Sequence, residues 1–376
     1  MTSAVITSIY VENLRGVKRC VVNNLTHVNI FIGRNGAGKS TLLEAIYMAS
    51  AWARPLDIIK GVSKLLYVVT RRRGHVDARY GWEIYSKYKD MLWFNKYINE
   101  EIQIALNFGE KKMEFRLMYS QPQPPHAPPA DGPALWLVVA QGSNVIYYQR
   151  PDSFWSPVTK STPPLPFSEL QKRVEDELRQ ELEFLEGVLL LDSRLTPRDL
   201  EQRIWPQLLD RRLDTLIVEM LREEYEVDVH DITYKPVGGE YVLALKLKNT
   251  TVEIDALGDG ARAAVMYASP LALVKDTAVL MEDPEAHQHP AGLKAFMSFA
   301  LKIAKRQNLQ LFITTHSIEL INIIKQLVRE LDMGIHVYFM ERGPDGVVDV
   351  RMLEEVDVDV LQKTALIPGL SARVSA

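Results

Sequence analysis

A glycine-rich stretch in the N-terminal part of the chain reads Gly33-Arg34-Asn35-Gly36-Ala37-Gly38-Lys39-Ser40-Thr41. It fits the pattern G-x-x-x-x-G-K-[ST], in which glycines let the backbone curl so that successive N–H groups point at phosphate oxygens. In this pattern the ammonium group of Lys39 contacts the β- and γ-phosphates, and the hydroxyl of Ser40 is a ligand of Mg²⁺. The stretch therefore predicts a site for a nucleotide and Mg²⁺.

The residues on either side have the pattern that such a loop requires. Apolar residues alternate with others over 28–32, as in a strand, and they recur at helical spacing from Leu42 to Tyr47. A helix that begins directly after the loop points its N-terminal N–H groups at a bound anion. A glycine-rich turn that matched the pattern by chance is not expected to have both flanks, so we place the site here.

Composition limits what else the chain can be. A length of 376 residues allows two domains, or one domain with a large insertion. The net charge of −4 means that any contact with nucleic acid must be local. Cys20 is the single cysteine, which excludes an internal disulfide and suits a reducing compartment. We see no signal peptide and no apolar run of about 18 residues, so we expect a cytoplasmic protein without a membrane span.

Residues 56–100 mix aromatic and basic side chains, with Arg71, Arg72 and Arg73 in a row and Arg79 close behind. One interpretation is a surface for DNA, where cations contact the phosphate backbone and rings stack on bases. The other is an aromatic core beside a run of solvated arginines. We favour the second interpretation and keep the first open.

The middle of the chain contains two segments of different character. Of the 20 prolines, 11 lie between Pro122 and Pro166, which favours loops around short strands. Leucines then recur at helical spacing, and Thr196-Pro197-Arg198-Asp199 has the cap, the first-position proline and the acid of a helix start. Beyond these helices, Gly238-Gly239 predicts a hairpin turn, and we expect a strand over Thr251–Leu257. We therefore divide the chain into residues 1–110, a β and proline-rich insertion at 111–166, a helical insertion at 167–230, and residues 231–376.

Two apolar, strand-like runs in the last part end in polar residues. One ends in Glu282-Asp283-Pro284-Glu285, and the other ends in Thr315-His316-Ser317. The carboxyl ends of parallel strands gather at the edge of a sheet where ligands bind, so Gly33, Glu282 and His316 can converge. Adjacent acids suit a P-loop enzyme, since one can hold the metal while the other orients the attacking water.

These elements resemble the Walker A, Walker B and switch-histidine motifs of ABC-type ATPase heads. The run Gly258-Asp259-Gly260-Ala261-Arg262 lies where those heads have a signature loop, which completes the nucleotide site of a second protomer. With Glu-Asp-Pro-Glu-Ala-His-Gln-His-Pro and Thr-Thr-His-Ser, this loop is most similar to the AAA-type ATPase domains of OLD-like (overcoming lysogenisation defect) proteins. The run Asn13-Leu14-Arg15-Gly16 resembles the opening of RecF and SMC-type heads.

The resemblance implies an α/β P-loop NTPase of the ABC-ATPase head type, with a mainly parallel central sheet, an antiparallel β subdomain and a helical insertion. The two head halves are then 1–110 with Walker A, and 231–376 with the signature-like loop, Walker B and switch histidine. It also implies roles for individual residues: nucleotide binding by Arg15, Gly33, Arg34, Asn35, Gly36, Ala37, Gly38, Lys39, Ser40 and Thr41, catalysis by Asp283, Glu282 and His316, metal binding by Ser40 and Glu282, and contacts in trans from Gly258, Asp259, Gly260 and Arg262.

The chain departs from the family pattern in its acids and its signature loop. Glu282 stands where the metal-binding aspartate is expected, and Asp283 stands at the position of the water-orienting glutamate. Because Asp283 is one methylene shorter than that glutamate, we expect slow hydrolysis. Gly258 replaces the signature serine, which removes a hydroxyl contact to the γ-phosphate. No glutamine can be placed as a Q-loop residue.

The resemblance implies a Mg²⁺-dependent ATPase that dimerises around ATP and acts in DNA repair or in defence against foreign DNA. The Toprim nuclease domain of OLD-type nucleases is not expected here, so a nuclease or other effector would be a separate partner. Two alternatives stay open. One is the ATPase subunit of a transporter, although the degenerate signature and the long separation of Lys39 from Glu282 argue against it. The other is a nucleotide-gated binding module with little hydrolysis.

Overall fold

A computed structural model of the chain describes residues 4–72, 88–118, 134–141, 144–148, 176–225, 228–286 and 289–354. These ranges contain a 12-stranded sheet and a 3-stranded sheet. The strands are β1 (Ser8–Leu14), β2 (Val17–Val22), β3 (Val28–Ile32), β4 (Ile102–Phe108), β5 (Lys111–Met118), β6 (Ala134–Gln141), β7 (Asn144–Tyr148), β8 (Leu189–Leu191), β9 (Val229–Val237), β10 (Glu240–Leu247), β11 (Thr251–Glu253), β12 (Ala278–Glu282), β13 (Gln310–Thr314), β14 (Ile335–Arg342) and β15 (Val347–Leu353).

Helices pack on both faces of the part of the large sheet that contains β3, β12 and β13. They are α1 (Lys39–Ala53), α2 (Lys64–Thr70), α3 (Arg179–Glu186), α4 (Trp205–Asp210), α5 (Asp214–Tyr225), α6 (Asp259–Leu273), α7 (Pro290–Gln307) and α8 (Ile318–Glu330). A helical turn at Pro197–Asp199 and a π-helical turn at Leu200–Ile204 lead into α4. Short 3₁₀ turns lie at Lys89–Leu92, Phe94–Lys96 and Ile254–Ala256.

The large sheet has the order β7-β6-β5-β4-β1-β2-β15-β14-β3-β13-β12-β8. Strands β14, β3, β13, β12 and β8 are mutually parallel, whereas β7 to β2 form an antiparallel half of the same sheet. This architecture is that of an ABC-ATPase head and confirms the predicted fold class. The predicted boundary at 110/111 falls in the turn of the β4–β5 hairpin, so these strands are continuous with the N-terminal half.

Both faces of the parallel half are buried. Phe31 and Phe312 project to one face and pack with the first three helices, while Ile30 and Ile313 project to the other face and pack with α4 to α8. Strand β13 is buried along its whole length, as expected for a parallel strand with helices on both sides. The phosphate loop and its neighbours therefore stand on a rigid, close-packed support.

The parallel register brings four strand ends to one edge of the sheet. Thr314 lies opposite both Phe31 and Glu282, and Met281 lies opposite Leu191. The segments that follow β3, β13, β12 and β8 therefore all begin at this edge, where ligands bind in open α/β sheets.

Two local predictions from the sequence are confirmed, and a third is wrong in part. The capping box at Thr196 is present, with Asp199 as its acid, and Gly238-Gly239 forms the predicted turn between β9 and β10. The strand expected over Thr251–Leu257 is wrong in its second half, because β11 ends at Glu253 and a 3₁₀ turn follows. In the described ranges, no helix has both the length and the apolar character needed to cross a bilayer.

Candidate nucleotide site

The glycine-rich loop connects β3 to α1 in the way that its sequence predicts. Gly33, Gly36 and Gly38 have φ values of +151°, +80° and +101°. A Cβ added at Gly33 would lie 2.2 Å from the carbonyl oxygen of Met340 on the neighbouring strand, so the close approach of two backbones requires glycine there. Helix α1 begins at Lys39 with Gly38 as its N-cap. Since glycine offers no capping side chain, the N–H groups of the first turn can bind an anion.

The side chain of Lys39 is directed toward the start of the loop. Its ammonium group donates hydrogen bonds to the carbonyl oxygens of Gly33 at 2.8 Å and Arg34 at 3.3 Å. Burial lowers the pKa of Lys39, while the carboxylates of Asp283 and Glu285 partly oppose that shift. The lysine is therefore held beside the loop by carbonyl groups that a phosphate could replace as its partners.

A pocket of about 490 Å³ opens at this edge of the sheet. Its lining includes loop residues 35–41 together with Glu282, Asp283 and His316. Residues 192–194, which follow β8, and the pair Arg71 and Arg72 also line the pocket. The structure thus brings together the loop, the acid pair and the histidine, which are far apart in the sequence.

The three acids at the end of β12 have different neighbours. The carboxylate of Glu282 forms an ion pair with Arg71. Asp283 has a positive φ of +45°, and its Oδ1 lies 3.5 Å from the hydroxyl of Thr314. Glu285 accepts hydrogen bonds through Oε1 from the Thr315 hydroxyl at 2.5 Å and from the backbone N–H of His316 at 3.0 Å. The three carboxylates at the end of one strand therefore contact three different parts of the protein.

A buried cluster of charges lies behind the pocket. Arg71 pairs with Glu44 of α1 at 3.0 Å and with Asp192 at 3.2 Å, in addition to Glu282. Arg15 pairs with Glu44 through Nε at 2.5 Å. Burial alone would lower the pKa of Arg71, but the carboxylates of Glu44 and Asp192 outweigh it and raise the pKa. The cluster joins α1, the end of α2, the segment after β8 and the end of β12.

The arginine run is therefore not uniformly solvated. Arg71 is 6% exposed and forms three ion pairs, so the expectation of a solvated side chain is wrong at this position. The side chain of Arg72 is 51% exposed, as expected for a solvated arginine. Arg73 and Arg79 lie outside the described residues, so the alternative of a DNA surface is not tested there.

Arg15 was expected to bind nucleotide. Its guanidinium instead contacts Glu44 and the backbone carbonyl of Val68, while the next two residues, Gly16 and Val17, line the pocket. Its part in nucleotide binding stays a prediction, and the contacts seen here are structural.

The signature-like loop lies at the start of α6. Gly258 is the N-cap residue and is exposed, and Asp259 and Gly260 form the first turn. Arg262 donates from Nε to Asp255 at 3.1 Å. The described lining of the pocket in the same chain does not include these four residues, so a role for them at a nucleotide depends on a second protomer.

No role at this site was predicted from the sequence for four residues: Glu44, Arg71, Asp192 and Glu285. Glu44 had a usable signal, because an ionised acid inside an otherwise apolar helix needs a buried cation as its partner. Asp192 follows a strand of only three residues, which is too short to show a period.

Taken together, the parallel sheet, the glycine loop and the acid turn define the chain as a P-loop ATPase head of the ABC type. Residues 5–121 and 170–321 match the family described as AAA ATPase domain. The match covers well over half of the chain, and the protein belongs to this family.

Two proteins and one solved structure illustrate the likeness. An ATP/GTP phosphatase of Helicobacter pylori is 21% identical over 349 residues, which cover 88% of this chain and 90% of that protein. An uncharacterized protein of Methanocaldococcus jannaschii is 29% identical over 101 residues, which cover 27% of this chain and 89% of that one. An SMC head bound to the C-terminal winged-helix domain of ScpA superposes with a TM-score of 0.52 at 14% identity, covering 94% of this chain and 99% of that one. At this identity the SMC likeness shows the fold alone.

Proposed function

We propose that this protein binds ATP with Mg²⁺, hydrolyses it slowly, and forms a dimer around it. The observation that carries the proposal is the convergence of loop residues 35–41, the acid pair and His316 on one pocket. Membership of an ATPase domain family supports hydrolysis. The name of the Helicobacter pylori relative, ATP/GTP phosphatase, agrees with a nucleoside triphosphate as the substrate.

The residues present fit a bound Mg²⁺. Ser40 and Glu282 offer a hydroxyl and a carboxylate, which are the hard oxygen ligands that Mg²⁺ prefers. No group of three or more His, Cys, Asp or Glu residues suited to a metal is found in the described ranges, but Mg²⁺ in nucleotide sites usually takes one or two protein ligands plus phosphate and water. When bound, the metal would neutralise charge on the β- and γ-phosphates.

Different groups of the protein would then bind the phosphates and orient the attacking water. Backbone N–H groups of the loop bind the phosphate oxygens, and Lys39 exchanges the carbonyls of Gly33 and Arg34 for the β- and γ-phosphates. Asp283 orients the attacking water within hydrogen-bond reach of the γ-phosphate. His316 follows β13 and lines the same pocket, where it would contact the γ-phosphate.

Dimerisation is supported by the position of the signature-like loop. Gly258 and Asp259 are exposed at the N-terminus of α6, a 15-residue helix whose dipole favours an anion. A second protomer would bring this loop to the open side of the pocket, where Gly258, Asp259, Gly260 and Arg262 complete the site. The ATP-dependent homodimer would act as a switch that changes its affinity for a partner.

The biological setting that we propose is DNA repair or defence against foreign DNA, together with a separate nuclease or effector protein. Its support is the motif likeness to OLD-like and RecF-like heads. The SMC head structure is of a protein bound to a partner domain, which is an arrangement of the kind we propose here.

A second candidate is a nucleotide-gated binding module with little hydrolysis. The observation that favours it is the ion pair of Glu282 with Arg71, because a carboxylate held by an arginine is less available to a metal. Asp283 is also shorter than the usual water-orienting glutamate.

Single-turnover hydrolysis separates the two candidates. Purified protein in excess over labelled ATP or GTP, with and without Mg²⁺, should release phosphate, and light scattering should show a dimer with ATP but not with ADP. Release of phosphate no faster than in a Lys39→Ala control, despite tight ATP binding, would replace our proposal with the binding module. Absence of nucleotide binding would refute both candidates.

A further inference from the structure

Glu285 connects the acidic turn after β12 to the turn that carries His316. One carboxylate oxygen accepts from two groups of adjacent residues, the Thr315 hydroxyl at 2.5 Å and the His316 backbone N–H at 3.0 Å. Hydrogen bonds to an ionised acceptor are roughly twice as strong as those between neutral groups. Thr315 is fully buried, which makes its bond to Glu285 stronger still, because the interior has a low dielectric constant.

The same hydroxyl extends the connection into α8. The Thr315 hydroxyl oxygen accepts from the backbone N–H of Ser317 at 2.9 Å, and the Ser317 side chain caps α8 by accepting from Leu320 N–H at 3.1 Å. The backbone N–H of Thr315 donates to the carbonyl of Phe31, on the strand that leads into the phosphate loop. A continuous set of hydrogen bonds thus runs from Glu285 to the start of α8.

The other two acids of the turn do not make this connection in the described structure. Glu282 contacts Arg71, and Asp283 lies near Thr314. His316 has an exposed side chain that lines the pocket, so its direction depends on how its backbone is held.

We infer that Glu285 is a positioning residue that fixes the Thr315–Ser317 turn and so directs His316 at the γ-phosphate. The inference rests on the proposed ATPase function, in which His316 contacts that phosphate. Glu285 is not among the residues that line the pocket. Because the acidic turn and the histidine turn are bonded to each other, a shift of either one on nucleotide binding moves the other.

The first test measures kcat and nucleotide affinity in the full-length protein. Glu285→Ala should lower kcat about 10- to 100-fold, the cost of a small misplacement of a catalytic group, with ATP affinity changed less than about threefold. Thr315→Val should lower kcat in the same direction, and Thr315→Ser, which keeps the hydroxyl, should restore it. The two threonine variants keep the test available if Glu285→Ala does not fold.

The second test asks whether Glu285 acts through His316. In a His316→Ala background, Glu285→Ala should lower kcat by less than about twofold, because its effect is already lost. Independent losses that multiply would overturn the inference, as would equal activity of Thr315→Val and Thr315→Ser.

A third readout does not depend on hydrolysis. ATP should slow hydrogen exchange of the peptide that contains His316 in the wild type, and Glu285→Ala should abolish that protection while the protein still binds ATP. A wild type that binds ATP without hydrolysing it would refute the proposed hydrolysis but leave this measurement decisive for Glu285. Unchanged protection in the variant would refute the positioning role even in an active enzyme.

Discussion

The guanidinium of Arg71 lies against the carboxylate of Glu282, the acid that the motif pattern assigns to the metal. Arg71 is 6% exposed, Glu282 is 18% exposed, and the same arginine also holds Glu44 and Asp192. One buried arginine thus pairs with three carboxylates at this edge of the sheet. Any metal bound by Glu282 has to share or replace the charge of that arginine.

Replacing Arg71 should therefore destabilise the whole domain. Arg71→Gln leaves Glu44, Asp192 and Glu282 without their common partner, and breaking a buried ion pair costs about 3–5 kcal/mol. Urea denaturation followed by fluorescence measures the loss. Arg72→Gln is the matched control, because its side chain is 51% exposed and a surface ion pair contributes about 1 kcal/mol or less. Equal losses for the two variants would show that the cluster is not what stabilises this edge.

The loop glycines offer a second comparison. A Cβ at Gly33 would meet the Met340 carbonyl oxygen at 2.2 Å, and that backbone atom belongs to the neighbouring strand. We expect Gly33→Ala to lose about 3 kcal/mol or more and to lose nucleotide binding. A Cβ at Gly36 would meet no heavy atom within 4 Å, so Gly36→Ala should cost only the backbone strain of its positive φ, about 1–2 kcal/mol. Thermal unfolding and binding of a fluorescent nucleotide check both variants, and a fully stable Gly33→Ala would contradict the geometry.

What the sequence predicted correctly has a common physical basis. The fold class and the convergence of the loop with Glu282 and His316 follow from contiguous motifs, each with residue types that phosphate chemistry requires. The ion pairs of Arg71 have no such signal, because its partners lie on three elements that meet only after the sheet is assembled. Glu285 stood in the quoted acidic run, yet its role depends on Thr315, which reaches it only through the pairing of β12 with β13.

The large sheet also extends beyond what the sequence indicated. The strands around residue 110 were divided between two predicted segments, although β4 and β5 form one hairpin that continues the antiparallel half. Alternating patterns predict that strands exist, but the choice of β1 as the partner of β4 is a long-range pairing that local patterns do not encode.

The acid pair gives a third prediction. Asp283→Asn should keep binding of ATP and Mg²⁺ but lose turnover, because the amide cannot act as the base that orients water. The substitution suits the backbone, since asparagine tolerates the positive φ of this position. ATP should then trap the dimer, which light scattering detects.

Glu282→Gln is the comparison for that experiment. We expect it to weaken Mg²⁺-dependent nucleotide binding itself, because the amide is a poorer metal ligand than a carboxylate, while Arg71 keeps Glu44 and Asp192 as partners. If Asp283→Asn hydrolyses ATP normally and Glu282→Gln binds nucleotide without turnover, the two roles are reversed.

The last prediction concerns Lys64, which is buried at the start of α2. Its ammonium group donates to the Ser50 hydroxyl at 2.8 Å and lies 5.4 Å from the centre of the Tyr47 ring. Burial lowers the pKa of Lys64 to about 7; nearby Asp57 and Glu186 oppose the shift, and Arg54 and Lys60 add to it. The group is thus largely neutral in the folded protein above pH 7, although it is charged in the unfolded chain up to its ordinary pKa of about 10.4.

Between pH 7 and about pH 10, the unfolded chain binds a proton at Lys64 that the folded protein does not bind, so this residue makes unfolding less favourable as the pH rises. The slope contributed by one such group is at most about 1.4 kcal/mol per pH unit. Lys64→Met removes this pH dependence. The free energy of unfolding of the wild type minus that of the variant should therefore grow from pH 7 to pH 9 and stay constant below pH 6. Urea denaturation at each pH measures the difference. Lys294→Met, at an exposed position on α7, should differ from the wild type by a constant amount. If the difference between the wild type and Lys64→Met is also constant with pH, Lys64 stays charged in the folded protein.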